Sequence, residues 1–294
     1  MSQVSQERFP AADFHDFDTL WFQISGTLCN LRCNHCFIRC SPENDSLALM
    51  ETAGVLRYLE EARQLGVKEI YFTGGEPFLH PDILLILEQT LTYFPASVLT
   101  NGLPINPERA DRLARIADSS PYTLELRISL DHYDPDKNDA VRGKGTFKRI
   151  LAAYKRLYDR GFLPILTITE IDEYQNPEQK DIDRFDKYVQ LLNQAGVGQP
   201  RVKIIPIFEM GMLPAPNRPR TVTHEMMNGF DHSLLQCSSS RIAAADGIYA
   251  CPILVGEERA RMSGTSLEAA ATPCSLYHTA CTTCYVTGMT CKNY

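Results

Sequence analysis

The chain has 294 residues, enough for one large α/β domain or a barrel with a small appendage. Apolar content of 44%, charged content of 22% and a net charge of −7 describe an ordinary globular chain. It has no basic run, so no nucleic-acid partner is expected. No apolar stretch reaches the ~20 residues of a membrane span, and Met1–Arg8 lacks the hydrophobic segment of a secretory signal. A cytoplasmic location with no membrane partner is therefore predicted. In a reducing compartment, ten cysteines point to metal ligation rather than disulfides. Four lie from Cys29 to Cys40 and six from Cys237 to Cys291, so two metal regions are expected.

Strands and helices alternate along the first two thirds of the chain. Trp21–Thr27 reads as a strand running into the first Cys group, and Thr52–Leu65 as a helix stopped at Gly66. Strand Glu69–Thr73 leads to Gly74-Gly75, helix Asp82–Tyr93 follows Pro81, and strand Ala96–Thr100 ends at Asn101-Gly102. Helix Pro107–Ala117, strand Tyr122–Leu130, helix Thr146–Arg160, strand Leu163–Thr169, helix Pro177–Ala195 and strand Val202–Ile207 complete six βα-type repeats. Short loops of this kind imply parallel strands with right-handed crossovers. Spacing alone leaves open a six-stranded partial barrel or an open two-sided sheet. Gly211–Thr223 is Pro-rich and reads as linker. Beyond it, Arg241–Ala245 and Ile248–Cys251 flank Asp246-Gly247 as a hairpin, and Ser266–Ala271 as a short helix. The last twenty residues show little apolar periodicity, and metal binding is expected to supply their folding energy. The expected division is a lead-in (1–19), a barrel (20–210), a linker (211–236) and a Cys-rich unit (237–294).

Cys29, Cys33 and Cys36 form a C-x3-C-x2-C run, and Gly74-Gly75-Glu76-Pro77 follows one strand later. Closely spaced Cys also serve zinc, but three thiolates can fold around one face of a 4Fe–4S cube and leave an iron open. The two motifs together resemble the radical S-adenosylmethionine (SAM) superfamily. That resemblance implies the (β/α)6 partial barrel, with chemistry at the C-terminal strand ends. It implies a 4Fe–4S cluster on Cys29, Cys33 and Cys36 whose open iron is chelated by SAM, which is then cleaved to methionine and a 5′-deoxyadenosyl radical. It places Gly74, Gly75 and Glu76 at the SAM amino group and His35 beside the cluster and adenosine. Ser129, Asp131 and Arg142 resemble the Ser-x-Asp…Arg-Gly segment of the cofactor- and peptide-modifying branch. There the Ser contacts the SAM ribose and the Arg forks onto its carboxylate. Asn101 is a weaker candidate of the same site, since Asn-Gly is a turn signal first.

Cys237 and Cys251 around the hairpin, followed by the pair Cys281 and Cys284, resemble the Twitch form of the Twitch/SPASM extension. It carries one auxiliary 4Fe–4S cluster, and a structural zinc site is the alternative. Cys274 and Cys291 are further candidate ligands that substitute in the set, stay free or help hold a second cluster. Cys40 reads either as a functional thiol or as a small buried hydrophobe. Glu170, Asp172, Glu173, Glu209, Met210, Tyr71 and Phe72 lie on or after strands where a substrate would sit. Asp172 and Glu173 read rather as helix-capping or solvated acids.

The resulting expectation is a radical SAM oxidoreductase served by a flavodoxin- or ferredoxin-type electron donor, acting on a small natural-product molecule. The alternative is a maturase of a ribosomally made peptide or protein side chain. A non-catalytic iron–sulfur or zinc protein is a remote third reading. About twenty residues precede the first strand, too few for a fused leader-binding domain, and the compact chain with a single expected auxiliary cluster favours the small molecule.

Overall fold

A computed structural model describes residues 8–169, 171, 182–214 and 220–288. A short strand β1 (Ala11–Ala12) precedes the repeats. These run β2 (Thr19–Gln23), α1 (Thr52–Gln64), β3 (Glu69–Thr73), α2 (Ile83–Thr90), β4 (Ala96–Thr100), α3 (Pro107–Asp118) and β5 (Leu124–Ser129). Two helices, α4 (Pro135–Arg142) and α5 (Thr146–Tyr158), then precede β6 (Ile165–Thr169), α6 (Arg184–Gln194) and β7 (Arg201–Ile205). The six expected strands β2 to β7 are parallel, each beside its neighbour in sequence, and the sheet does not close. This is the partial barrel.

Alternation along the strands sorts the two faces. Leu20, Phe22, Ile70, Phe72, Val98, Leu126, Ile128 and Leu166 pack under the helices in the main core. The opposite face carries Trp21 stacked on Tyr71 at 4.2 Å between ring centroids. Its polar groups are tied together, with Arg127 Nη2 donating to Tyr71 Oη at 3.0 Å and Arg127 Nε to Glu125 Oε1 at 3.0 Å. Phe72 therefore belongs to the helix-side core, while Tyr71 faces the interior of the barrel.

The C-terminal part is joined to the barrel more closely than the linker reading suggests. The expected hairpin, β8 (Ser240–Ala244) and β9 (Gly247–Tyr249), lies on the free edge of β2, with β8 parallel to it. One eight-stranded sheet results, in the order β7-β6-β5-β4-β3-β2-β8-β9. Helices α7 (His224–Met227) and α8 (Leu267–Ala270) follow the chain outward, and β10 (Cys274–Ser275) pairs antiparallel with β1. A second core gathers Trp21 and Tyr71 of the barrel with Phe208, Val222, Ile242, Leu254, Leu276 and Ala280. The tail does not bury a core of its own; it shares this one.

Among the described residues, two longer helices escape the sequence reading, besides the four-residue α7 in the expected linker. In α4, Asp134 caps the first turn, its Oδ1 accepting from Asp136 N at 2.9 Å and Lys137 N at 3.1 Å, and Pro135 sits at the first helical position. Arg142 therefore ends a helix instead of lying on a loop. The other is α9 (Thr279–Thr287), capped by His278 and stopped by Gly288 at φ +57°. Its Thr and Cys residues have poor helix propensity, and it is built on a shared core that the local pattern does not reveal. The strand read as Trp21–Thr27 ends at Gln23, because Ile24–Thr27 leave the sheet to start the Cys loop.

Candidate functional site

The first Cys group is a loop zipped shut at its base. Cys29 N donates to Ser41 O at 3.1 Å and Ser41 N to Thr27 O at 3.2 Å. The turn after β3 then docks on it: Gly75 N donates to Gly26 O at 2.9 Å and Glu76 N to Leu28 O at 3.0 Å. A Cβ on Gly75 would lie 2.1 Å from Leu28 O, so only glycine fits. From the other side Met212 N donates to Cys36 O at 3.0 Å, and a Cβ on Gly211 would meet Phe37 O at 2.3 Å. The expected linker thus begins as a brace for the Cys loop.

Cys29, Cys33 and Cys36 are close enough to act on one another electrostatically. Burial pushes the Cys29 thiol up to about 12 and also raises Cys33, against the pull of Arg142. Cys36 goes the other way, to about 6, chiefly through a hydrogen bond from the Cys40 thiol, which is itself raised. Cys40 N also donates to Cys36 Sγ at 3.2 Å. Cys40 is buried and supports Cys36.

The strand ends converge on this loop. Glu76 is fully buried and binds three donors: Phe78 N at 3.0 Å, Thr100 Oγ1 at 2.7 Å and Asn101 N at 2.7 Å. Burial raises its carboxyl, and these donors oppose the rise. Asn101 Nδ2 donates to Asn30 Oδ1 at 2.7 Å, with Cys29 Sγ 3.8 Å away. Gly74, at φ +144°, leaves room for Ser25. Ser129 is half-buried at the end of β5. Two residues on, buried Asp131 receives Arg142, with Nε 2.6 Å from Oδ2 and Nη2 donating to Oδ1 at 3.2 Å. His35 Nε2 lies 3.1 Å from the same Oδ1. Burial alone would raise the Asp131 carboxyl, yet Arg142 and His35 hold it well below the usual carboxylate range. Asn138 Oδ1 accepts from Asp131 N at 3.2 Å, and Tyr188 Oη donates to Asp131 O at 3.2 Å. Asn30, Thr100, Asn138 and Tyr188 were not singled out from the sequence. For Asn138 the signal was an Asn eight residues before a candidate helix start; the others gave none.

The second Cys group is assembled from distant segments. Cys237, Cys251, Cys281 and Cys284 line one apolar cavity with Leu235, Ile253, Leu254, Leu276 and Ala280. Cys281 and Cys284 stand three apart on α9, hence on one face. Cys274 joins them through a thiol–thiol hydrogen bond with Cys237, which raises Cys237 and lowers Cys274. Burial pushes Cys251 and Cys281 each up to about 12. Cys291, Glu170, Asp172 and Glu173 lie outside the described residues. Among the described residues, no three Cys, His, Asp or Glu side chains converge tightly enough for a single metal ion. A cube of four irons holds its thiolates farther apart than one tetrahedral ion does. Soft thiol donors fit such a cluster at both groups, with charged neighbours at the first and an apolar lining at the second.

Between the two groups opens a cavity of about 650 Å³, lined by Phe37, Ile38 and Arg39 of the Cys loop, Glu209 and Met210 after β7, and Glu257 and His278 of the tail. Among the described residues, no helix is long and apolar enough to cross a membrane.

A family model described as Radical SAM superfamily matches residues 24–185. The mycofactocin maturase MftC of Mycolicibacterium smegmatis is 33% identical over 154 residues, 52% of this chain and 37% of that protein. The antilisterial bacteriocin subtilosin biosynthesis protein AlbA of Bacillus subtilis is 33% identical over 138 residues, 45% of this chain and 29% of that one. The chain thus spans well under half the length of either relative. Among solved structures, Streptococcus suis SuiB bound to S-adenosylmethionine aligns with a TM-score of 0.61 at 16% identity, covering 84% of this chain and 63% of SuiB.

Proposed function

The chain belongs to the radical SAM superfamily, and from that premise we propose that it is a maturase that oxidatively modifies a ribosomally made peptide or protein side chain. One observation carries the proposal. Three thiols sit on a zipped loop that Gly75 packs against at Leu28 and Cys29, and His35 of the same loop meets Asp131, which also pairs with Arg142. The likeness to a maturase and to a bacteriocin biosynthesis protein, each at 33% identity, supports a peptide over the small molecule favoured by the compact chain and single expected auxiliary cluster.

Cys29, Cys33 and Cys36 would hold a 4Fe–4S cluster, and Cys237, Cys251, Cys281 and Cys284 an auxiliary one, with Cys274 as reserve. When bound, the first cluster and SAM supply a radical able to take a hydrogen atom from an unactivated C–H bond. The residues of this chain do the rest. Gly74 and Gly75 bring the backbone close, and the Glu76 carboxylate locks the ends of β3 and β4 together. Asp131 takes Nε and Nη2 of Arg142 and holds the His35 ring, so the guanidinium is fixed in one orientation with only its remaining edge left for a further carboxylate. Ser129 and Asn101 stand at neighbouring strand ends for further hydrogen bonds. The cavity between the two Cys groups takes the substrate, with Phe37, Ile38 and Met210 excluding water and Glu209 and Glu257 presenting acceptors. A flavodoxin- or ferredoxin-type protein would deliver electrons.

The test is co-expression with short peptides encoded beside the gene, followed by mass spectrometry. Loss of two hydrogen atoms per modified site, with 5′-deoxyadenosine formed in step, is the expected result. Deoxyadenosine formation on a sugar, cyclitol or amino-acid derivative, with every peptide unchanged, would return the small-molecule reading.

A further inference from the structure

Three arginines of the described chain are buried: Arg127, Arg142 and Arg241. Arg127 faces Glu125 and Arg142 faces Asp131. Arg241, on β8, is 0% exposed, and among the described residues no carboxylate pairs with it. Main-chain carbonyls satisfy its donors instead. Nε donates to Ala270 O at 2.8 Å, Nη1 to Cys237 O at 2.6 Å and to Ser240 O at 2.7 Å, and Nη2 to Thr272 O. The Phe14 ring covers it, 4.2 Å from ring centroid to guanidinium carbon.

Carbonyl dipoles fill the hydrogen bonds but leave the net charge unanswered. A guanidinium does not lose its proton at any ordinary pH. A buried ion without a counter-ion is strongly unfavourable. The ionisable groups that reach Arg241 are Cys274, Cys237 and Cys251. As neutral thiols they give no compensation; as metal-bound thiolates they are the missing anions, since a coordinating thiol is deprotonated outright.

Resting on the reading that these cysteines hold an auxiliary iron–sulfur cluster, we propose that Arg241 is the counter-cation of that cluster and raises its affinity for an electron. It is a positioning residue as well. Its bonds to Cys237, Ala270 and Thr272 tie the segment with Cys237 to the end of α8 and the stretch that leads to Cys274. The sign follows from charge alone. A fixed positive charge beside the cluster stabilises the added electron of the reduced form, so removing it must lower the reduction potential.

The experiment is a potentiometric titration of the anaerobically reconstituted full chain, followed by electron paramagnetic resonance, for wild type, Arg241→Gln and Arg241→Lys. In the Gln variant the oxidised-to-reduced equilibrium of the auxiliary signal should shift at least tenfold toward oxidised, about 59 mV for one electron. The Lys variant keeps the charge but loses the fork, and should stay near the wild-type potential even if it unfolds more readily. A purely structural clamp would instead leave the potential alike in all three, and that result overturns the proposal. Should the Gln variant not fold, Phe14→Leu decides. Opening the shield lets water screen the guanidinium, so the potential should fall in the same direction, and an unmoved value overturns the proposal. Iron content separates the two readings. Four irons per wild-type chain would remove the auxiliary cluster and this role with it. Eight irons with an unmoved potential would remove Arg241's role alone.

Discussion

The two cysteine groups solve one problem in opposite ways. Cys29, Cys33 and Cys36 lie within eight consecutive residues, and their loop is closed by its own backbone and by the glycine turn of β3. Cys237, Cys251, Cys274, Cys281 and Cys284 span 48 residues and meet because a shared apolar core brings their segments together. The first group is local and braced. The second is nonlocal and lined by apolar side chains. On the proposed reading a local, backbone-braced loop needs less help from its metal to keep its shape than a set of thiols gathered from distant segments.

The contrast can be broken first at the thiols. Replacing Cys29, Cys33 and Cys36 together by Ala should abolish 5′-deoxyadenosine formation and lower iron from about eight to about four per chain. The fold should survive, as judged by circular dichroism. Replacing Cys281 and Cys284 by Ala should stop product while some deoxyadenosine still forms, and should lower the unfolding temperature more than the first set does. Equal destabilisation by the two sets would dissolve the distinction between a braced loop and a metal-ordered tail.

A smaller effect is expected at the charge cluster. Arg142→Ala removes a charge-assisted pair of about 2–3 kcal/mol, so SAM should bind roughly 30- to 150-fold more weakly with both clusters in place. An unchanged dissociation constant would make Arg142 a partner of Asp131 alone. Gly75→Ala forces a methyl onto Leu28 O and should cost about 1–3 kcal/mol of stability. Its signature is selective, with iron lost from the loop group and not from the tail, which iron analysis combined with spectroscopy can separate.

The smallest effect is a pH dependence. The Asp131 carboxyl is lowered on folding, so it adds stability above its unfolded value of about 3.9 and loses it as pH falls toward the folded one. The stability gap between wild type and Asp131→Asn should hold steady from pH 7 to 5 and shrink below pH 4, measured by denaturant unfolding of the metal-free chain. A gap that widens in acid would refute the pairing.

Six parallel strands and the first Cys loop could be read from the sequence, because alternation, glycine stops and close motif spacing are local signals; the choice of a partial barrel over a two-sided sheet came only with the family resemblance. Glu69–Thr73 and Ala96–Thr100 match residue for residue. Arg142 and Asp131 were legible as candidates, but not as each other's partner, since their pairing depends on α4, whose Asp134-Pro135 cap went unread. Cys281 and Cys284 were legible as a pair, though not as one face of a helix, because α9 has no apolar stripe of its own. Arg241 gave no signal: an arginine opening a strand looks solvated until Ala270, Thr272 and Phe14 close over it. The small-molecule preference rested on a compact chain and a single expected auxiliary cluster, and neither carries the substrate's chemistry; the likeness to MftC and AlbA favours the peptide alternative.

The pairing of β1 with β10 has a consequence for the order of synthesis. Ala11 and Ala12 are among the first described residues made, and their partners Ser275 and Cys274 among the last. The Cys29–Cys36 loop can close as soon as β3 and its glycines have been translated, and the barrel can grow strand by strand beside it. Strand β1 must wait, unpaired, through the making of every repeat. On the proposed reading that the tail cysteines hold a cluster, Cys274 takes its place only after that long closure, so iron supplied early would fill the loop first.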